Sequence, residues 1–161
     1  MQVRSERSDD RDAIRTIHIA SFPSPAEADL VDRLREAQDI AISLVSETAN
    51  CITGHVLFSR MKAPFRALGL GPVAVLPEWR RHGTAARLIE TGLAQAAGTD
   101  WEAVFVLGNP AYYSRFGFDA TLAAGFQSPY AGVHFMVRAL KDELPTRSGP
   151  VEYPPAFAEL G

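Results

Sequence analysis

Gly71-Pro72-Val73-Ala74-Val75-Leu76-Pro77-Glu78-Trp79-Arg80-Arg81-His82-Gly83-Thr84-Ala85 decides how this chain is read. An apolar strand runs into a turn, and the turn opens directly into a helix. The helix, Thr84 to Ala97, is the clearest in the sequence: Ala85, Leu88, Ile89, Gly92, Leu93 and Ala96 recur at helical spacing, and Gly98 follows as a stop. The first amides of a helix have no partner within it, and the helix dipole places positive potential there, so this junction is an anion site in waiting. Gly83 and the small Ala85 let a phosphate approach the backbone. Arg80, Arg81 and His82 add positive charge, and Thr84 sits at the helix start. A pyrophosphate suits the turn.

Outward from this segment the elements alternate in type. Val3–Glu6 reads as a first strand, and Ser8-Asp9-Asp10 as the start of a helix that ends before Phe22-Pro23. Pro25 to Glu36 reads as a second helix, with Ala26, Leu30, Val31 and Leu34 on one face. Ile40–Glu47 and Cys51–Met61 are strands joined by a turn at Thr48-Ala49-Asn50, hence antiparallel. Leu68–Val75 follows, and its Gly69, Gly71 and Pro72 weaken an interior ladder and point to a bulge or gap. Ala103–Leu107 is continuously apolar, as in a strand covered on both faces. A short helix over Ala111–Arg115, a last strand over Gly132–Leu140 and a proline-rich surface tail complete the order. The expectation is one α/β (α+β) domain spanning 1–161, with 142–161 as a tail packed on the surface.

Composition narrows the function classes. The chain has 161 residues, 47% hydrophobic and 22% charged, as in ordinary globular proteins. Its net charge of −3 supplies no general field for nucleic acid. No apolar stretch approaches a membrane span and no leader pattern is visible at the start, so the cytoplasm is the expected compartment. The single cysteine, Cys51, excludes an internal disulfide and reads as a small packing residue. His18, His55, His82 and His134 show no paired ligand spacing, and no metal is expected.

The turn lacks both the P-loop pattern and the Gly-x-Gly-x-x-Gly of dinucleotide folds. Arg80-x-x-Gly83-x-Ala85, after Val73-Ala74-Val75-x-Pro77, instead resembles the acetyl-CoA motif of the GNAT N-acetyltransferases. Downstream, Asn109-Pro110-Ala111-Tyr112-Tyr113-Ser114-Arg115-Phe116-Gly117-Phe118 is similar to that family's Asn-x-x-Ala/Tyr-Tyr-x-x-x-Gly-Phe segment. Gly54-His55-Val56, Leu70-Gly71-Pro72 and the element order fit the same frame, within a branch of small bacterial acetyltransferases. The resemblance implies a mixed, mostly antiparallel sheet splayed at the cofactor site, with helices on both faces. It also implies acetyl-CoA as cosubstrate and a small-molecule or peptide amine as acceptor, in a monomer or homodimer.

Roles follow from the same resemblance. Val73, Ala74 and Val75 would pair with pantetheine through their backbone, the Val75 N–H polarising the thioester carbonyl. Tyr113 matches the family's general acid; packing beside Phe116 and Phe118 is the plainer role for its ring. Tyr112 is assigned to packing, substrate contact or the cofactor site. Asn109 either bonds the pantetheine arm or caps the short helix. Trp79 either covers the cofactor or anchors the turn, and Arg87 either reaches a phosphate or faces solvent. The strand Leu68–Val75 holds no carboxylate to serve as base, which leaves Glu27, Glu47, His55 and His134 as candidates; Glu27 is favoured because the first two helices border the acceptor cleft in the family. The competing reading is a non-catalytic acyl-CoA-binding sensor or interaction module, and a weaker one is a nucleotide-binding protein using the same turn.

Overall fold

The computed structural model of the chain describes residues 1–160. Strands β1 (Gln2–Ser5), β2 (Ile40–Thr48), β3 (Cys51–Arg60), β4 (Ala67–Val75), β5 (Ala103–Leu107) and β7 (Phe135–Ala139) form one sheet in the order β1-β2-β3-β4-β5-β7. All neighbours run antiparallel except β4 and β5. The β2–β3 hairpin closes through Ala49 and Asn50, both at positive φ (51° and 66°), the combination that matches strand twist in a two-residue turn.

Helices cover both faces. α1 (Arg11–Ser21) and α2 (Ala26–Glu36) lie on one, packing Ile14, Leu30, Val31 and Leu34 onto Val45 and Leu57. α3 (Thr84–Ala97) lies on the other, setting Leu88, Ile89 and Leu93 against Leu44, Val56 and Phe58. Neighbours in sequence, Leu44 and Val45 or Val56 and Leu57, thus belong to opposite layers, as the two-residue period of a strand requires. Each such buried leucine stabilises the fold by about 1.5–3 kcal/mol. β5 serves both layers, Val104 and Val106 facing α3 while Phe105 packs with Phe126 and Phe135.

The sheet divides at β4. Its ladder with β5 runs only from Ala67↔Ala103 to Leu70↔Val106. Against β3, Leu70 pairs with Phe58 but Val73 with Val56, three steps along β4 for two along β3. The extra residue falls at Gly71–Pro72, where Gly71 takes φ +137° and proline offers no amide to a neighbouring strand. Val73–Val75 therefore stay with β3 and leave β5.

Three details differ from the sequence reading. Cys51 is exposed at the hairpin rather than packed, because it follows the turn directly. The last strand is shorter, Phe135–Ala139, since Gly132 (φ +148°) belongs to a turn. The segment from Pro145 does more than wrap the surface. Its β8 (Gly149–Pro150) pairs with β6 (Phe126–Gln127), and Val151 is buried in the core beneath β5 and β7. Two short helices, α4 (Pro110–Tyr113) and α5 (Ala120–Ala123), fill the connection from β5 to β6.

Candidate active site

The gap between β4 and β5 opens onto two cavities. The first, about 550 Å³, is lined by the edge of Val73–Val75, by Gly83 and the first residues of α3, and by Arg80, Arg81 and Arg115. Val75 C=O accepts Arg80 Nε at 3.0 Å and Ser21 Oγ at 3.4 Å, whereas Leu76 N–H donates to Thr53 C=O of β3 at 2.8 Å. The amide and carbonyl of one strand residue point to the same side, so the Val75 N–H also faces the cavity, and Val73, two residues back, shares its orientation.

At the helix end Gly83 is the N-cap residue, left-handed at φ +75°, and no side chain caps it. Arg87 N–H is the first amide to bond back, to Gly83 C=O. The amides of Thr84, Ala85 and Ala86 consequently remain as donors beside a cavity with three guanidinium groups and no carboxylate in its wall. An anion there gains about 0.3–2 kcal/mol from the helix dipole alone. Arg115, one of the three, stacks over the Tyr112 ring at 4.6 Å. His82 stands outside this lining, exposed, its ring 6.3 Å from Trp79, which itself lines the cavity. Arg87 is likewise exposed and outside the lining.

The second cavity, about 380 Å³, adjoins the first, and Val73 and Phe22 line both. Its wall holds five aromatic rings, Phe22, Tyr113, Tyr130, Tyr153 and Phe157, and one ionisable carboxylate, Glu27. The two consecutive tyrosines of α4 line different cavities, Tyr112 the first and Tyr113 the second, their rings edge to face with centroids 5.1 Å apart. Tyr113 packs edge-on to Phe118 with ring centroids 6.0 Å apart, and Gly108 leaves room for its ring: a β-carbon there would lie 2.4 Å from it. Burial, and secondarily Tyr112, pushes the Tyr113 phenol up to about 12, so it is a proton donor at neutral pH. Asn109 caps α4, its side chain accepting the Ala111 N–H at 3.0 Å, and lines neither cavity.

Of the four residues considered as bases, only Glu27 lines either of these two cavities. Glu47 pairs with Arg4 at 3.3 Å, and His134 is exposed against Gly108 C=O at 3.2 Å. His55 is wholly buried in a chain that runs Glu6–Ser43–His55–His18. The Glu6 carboxylate can only accept, so Ser43 donates to it (2.6 Å); His55 Nε2–H then donates to Ser43 Oγ (2.8 Å). His55 Nδ1 is left as acceptor for His18 Nε2–H, and the unpartnered His18 Nδ1 is therefore a lone pair rather than an orphaned N–H. Both rings are neutral, and burial holds both below the ordinary histidine range, His18 at about 4.

Sequence reasoning missed Phe22, Tyr130, Tyr153 and Phe157 in the second cavity, and Ser21 and Arg115 in the first. Arg115 alone lay within a quoted motif. Among the described residues no cluster of His, Cys, Asp or Glu is placed to hold a metal, and no helix is long and apolar enough to cross a membrane.

Comparison with known proteins agrees with this geometry. The family described as "Acetyltransferase (GNAT) domain" matches residues 2–121. The N-acetyltransferase YjhQ of Escherichia coli, itself uncharacterized, is 36% identical over 135 residues, covering 78% of this chain and 74% of its own. A crystal structure of the E. coli GNAT-family N-acetyltransferase YhbS in complex with CoA is 33% identical and superposes with a TM-score of 0.93, over 99% of this chain and 93% of the other. A GNAT-family acetyltransferase from Brucella melitensis in complex with acetyl-CoA is also 33% identical, with a TM-score of 0.82 over 97% of each chain.

Proposed function

The chain belongs to the GNAT acetyltransferase family, and from that premise we propose that it moves an acetyl group from acetyl-CoA to a primary amine by direct attack in a ternary complex. The observation that carries this reading is the pair of adjoining cavities, cationic with free helix amides on one side and carboxylate-bearing on the other. The residues present fit CoA: three arginines and the start of α3 suit its phosphates, and the free edge of Val73–Val75 suits the amides of its pantetheine arm.

When bound, acetyl-CoA supplies a thioester whose carbonyl carbon accepts the amine nitrogen while the bond to sulfur breaks. The Val75 N–H, aimed into the gap, donates to the carbonyl oxygen as it gains charge. Glu27 attracts the ammonium form of the acceptor and takes its first proton, directly or through solvent, leaving the neutral amine to attack. Tyr113 Oη donates a proton to the departing sulfur, and the phenolate recovers one from the nitrogen that has just formed its amide bond. One proton is released per turnover, and Tyr113 ends as it began. Its raised pKa keeps the phenol protonated between turnovers.

The test is thiol release from acetyl-CoA across an amine panel, alongside calorimetric titration with CoA. Tight CoA binding and amine-dependent thiol release are expected. Tight binding without release for any amine would overturn the enzymatic reading in favour of a binding module.

A further inference from the structure

The wall of the second cavity identifies a chemical class of acceptor, on the premise that the chain is an amine acetyltransferase. Among the described residues Glu27 is the only charged group in its wall, which holds no lysine, arginine or histidine. The neighbouring carboxylates of α2 are already committed, Asp29 and Asp32 to Arg15 at 2.8 Å each and Asp32 also to Arg35 at 3.4 Å, whereas Glu27 forms no ion pair among the described residues. A half-buried carboxylate without a partner, in an otherwise uncharged wall, is complementary to a single cation.

The rest of the wall is aromatic and aliphatic. Tyr153 comes from the C-terminal segment and lies on Gly69 of β4, where a β-carbon would sit 2.6 Å from its ring. Its ring meets Tyr130 edge-on at 5.5 Å and Phe157 at 4.8 Å. Tyr153 Oη is buried with no hydrogen-bond partner, and burial together with the nearby Tyr130 and Tyr113 phenols holds it protonated. Three phenols and two phenyl rings thus line a space of about 380 Å³, near the lower end of small-molecule sites, roughly 300–1,000 Å³. Tyr153, Phe157 and Leu160 bring the C-terminal segment into this wall.

We propose that the acceptor is a small monocationic amine with an aromatic or branched-alkyl body and no acidic group: the ammonium pairs with Glu27, and the body lies among Phe22, Tyr130, Tyr153 and Phe157. An α-carboxylate or phosphate on the same molecule has no cation to meet and would be desolvated facing Glu27. A second ammonium would find no second carboxylate among the described residues of the wall.

A matched pair of acceptors tests this: 2-phenylethylamine and phenylalanine, which share ring and amine and differ by one carboxylate. A diamine and a lysine-containing peptide complete the panel. The expected result is a kcat/KM for phenylethylamine on the order of 100-fold above that for phenylalanine. Glu27→Gln should raise its KM about tenfold with CoA affinity unchanged. Equal or better turnover of phenylalanine, the diamine or the peptide overturns the acceptor class while leaving the acetyltransferase reading intact. An unchanged KM in Glu27→Gln overturns the ammonium contact. No thiol release with any amine, CoA still binding, overturns the underlying reading instead.

Discussion

His18 Nε2 donates to His55 Nδ1 across 2.8 Å, and both rings are completely buried. A proton added to His55 Nδ1 would face the N–H of His18, so the pair is built for two neutral rings. Their folded pKa values lie below the unfolded value near 6.5, His18 at about 4. As pH falls from about 6.5 toward 4 the unfolded chain takes up protons that the folded one refuses, so stability is full above this window and lost within it. The expected slope is about 1.4 kcal/mol per pH unit for one histidine, steeper if both remain neutral. Asp10, held low by Arg4, contributes loss only below about pH 4 and leaves the window clear. Urea midpoints at pH 7.5, 6 and 5 measure the slope; a flat profile would show that the rings titrate freely.

Tyr113→Phe removes the proton donor and keeps the ring between Gly108 and Phe118. The expected cost is roughly 10²-fold in kcat, with CoA affinity within about twofold. Because the phenol sits near 12, the wild-type rate should show no alkaline fall assignable to it between pH 7 and 9. Wild-type turnover by the variant would remove Tyr113 from the chemistry.

Gly83 holds φ +75° at the start of α3, with open space where a side chain would project. Gly83→Ala should cost about 1 kcal/mol of stability through backbone conformation alone, read from thermal or urea unfolding. Gly83→Glu adds a carboxylate to the anion site, and calorimetry should then detect no CoA binding. Retained affinity in that variant would place the phosphates elsewhere.

Gly69→Ala drives a methyl group into the Tyr153 ring. The tail must shift, and the predicted outcome is a raised amine KM and a melting temperature lower by a few degrees, with CoA affinity unchanged. An unaltered amine KM would mean that Tyr153 is not part of the acceptor wall.

Much of the first cavity's wall was legible because it is local, although Ser21 and Arg115, brought in from elsewhere in the chain, were not. The strand, bulge, turn and helix that make it occupy one continuous stretch, Gly71 to Ala85, and strand or helix period places each side chain. The fold was legible for a related reason: Leu44 and Val45, or the runs in β5 and α3, carry their layer assignments in their spacing. Contacts set by folding alone were not legible. His18 and His55 are 37 residues apart, and neither neighbourhood signals the other. Tyr153 reaches β4 only because Gly69 leaves a bare surface, and a proline-rich tail carries no periodicity to announce that. Asn109 could be read two ways from its motif, and its bond to the Ala111 amide places it as a cap. Glu27 was favoured among four candidates by resemblance, and it is the one of the four that lines the second cavity.

The single inserted residue at Gly71–Pro72 separates two jobs along the chain. Residues that would grip the donor cluster between Val73 and Ala86, whereas the wall of the second cavity, proposed to take the acceptor, draws on Tyr130 and on Tyr153, Phe157 and Leu160. Exchanging the C-terminal segment would therefore retarget such an enzyme to a different amine without disturbing its acetyl source.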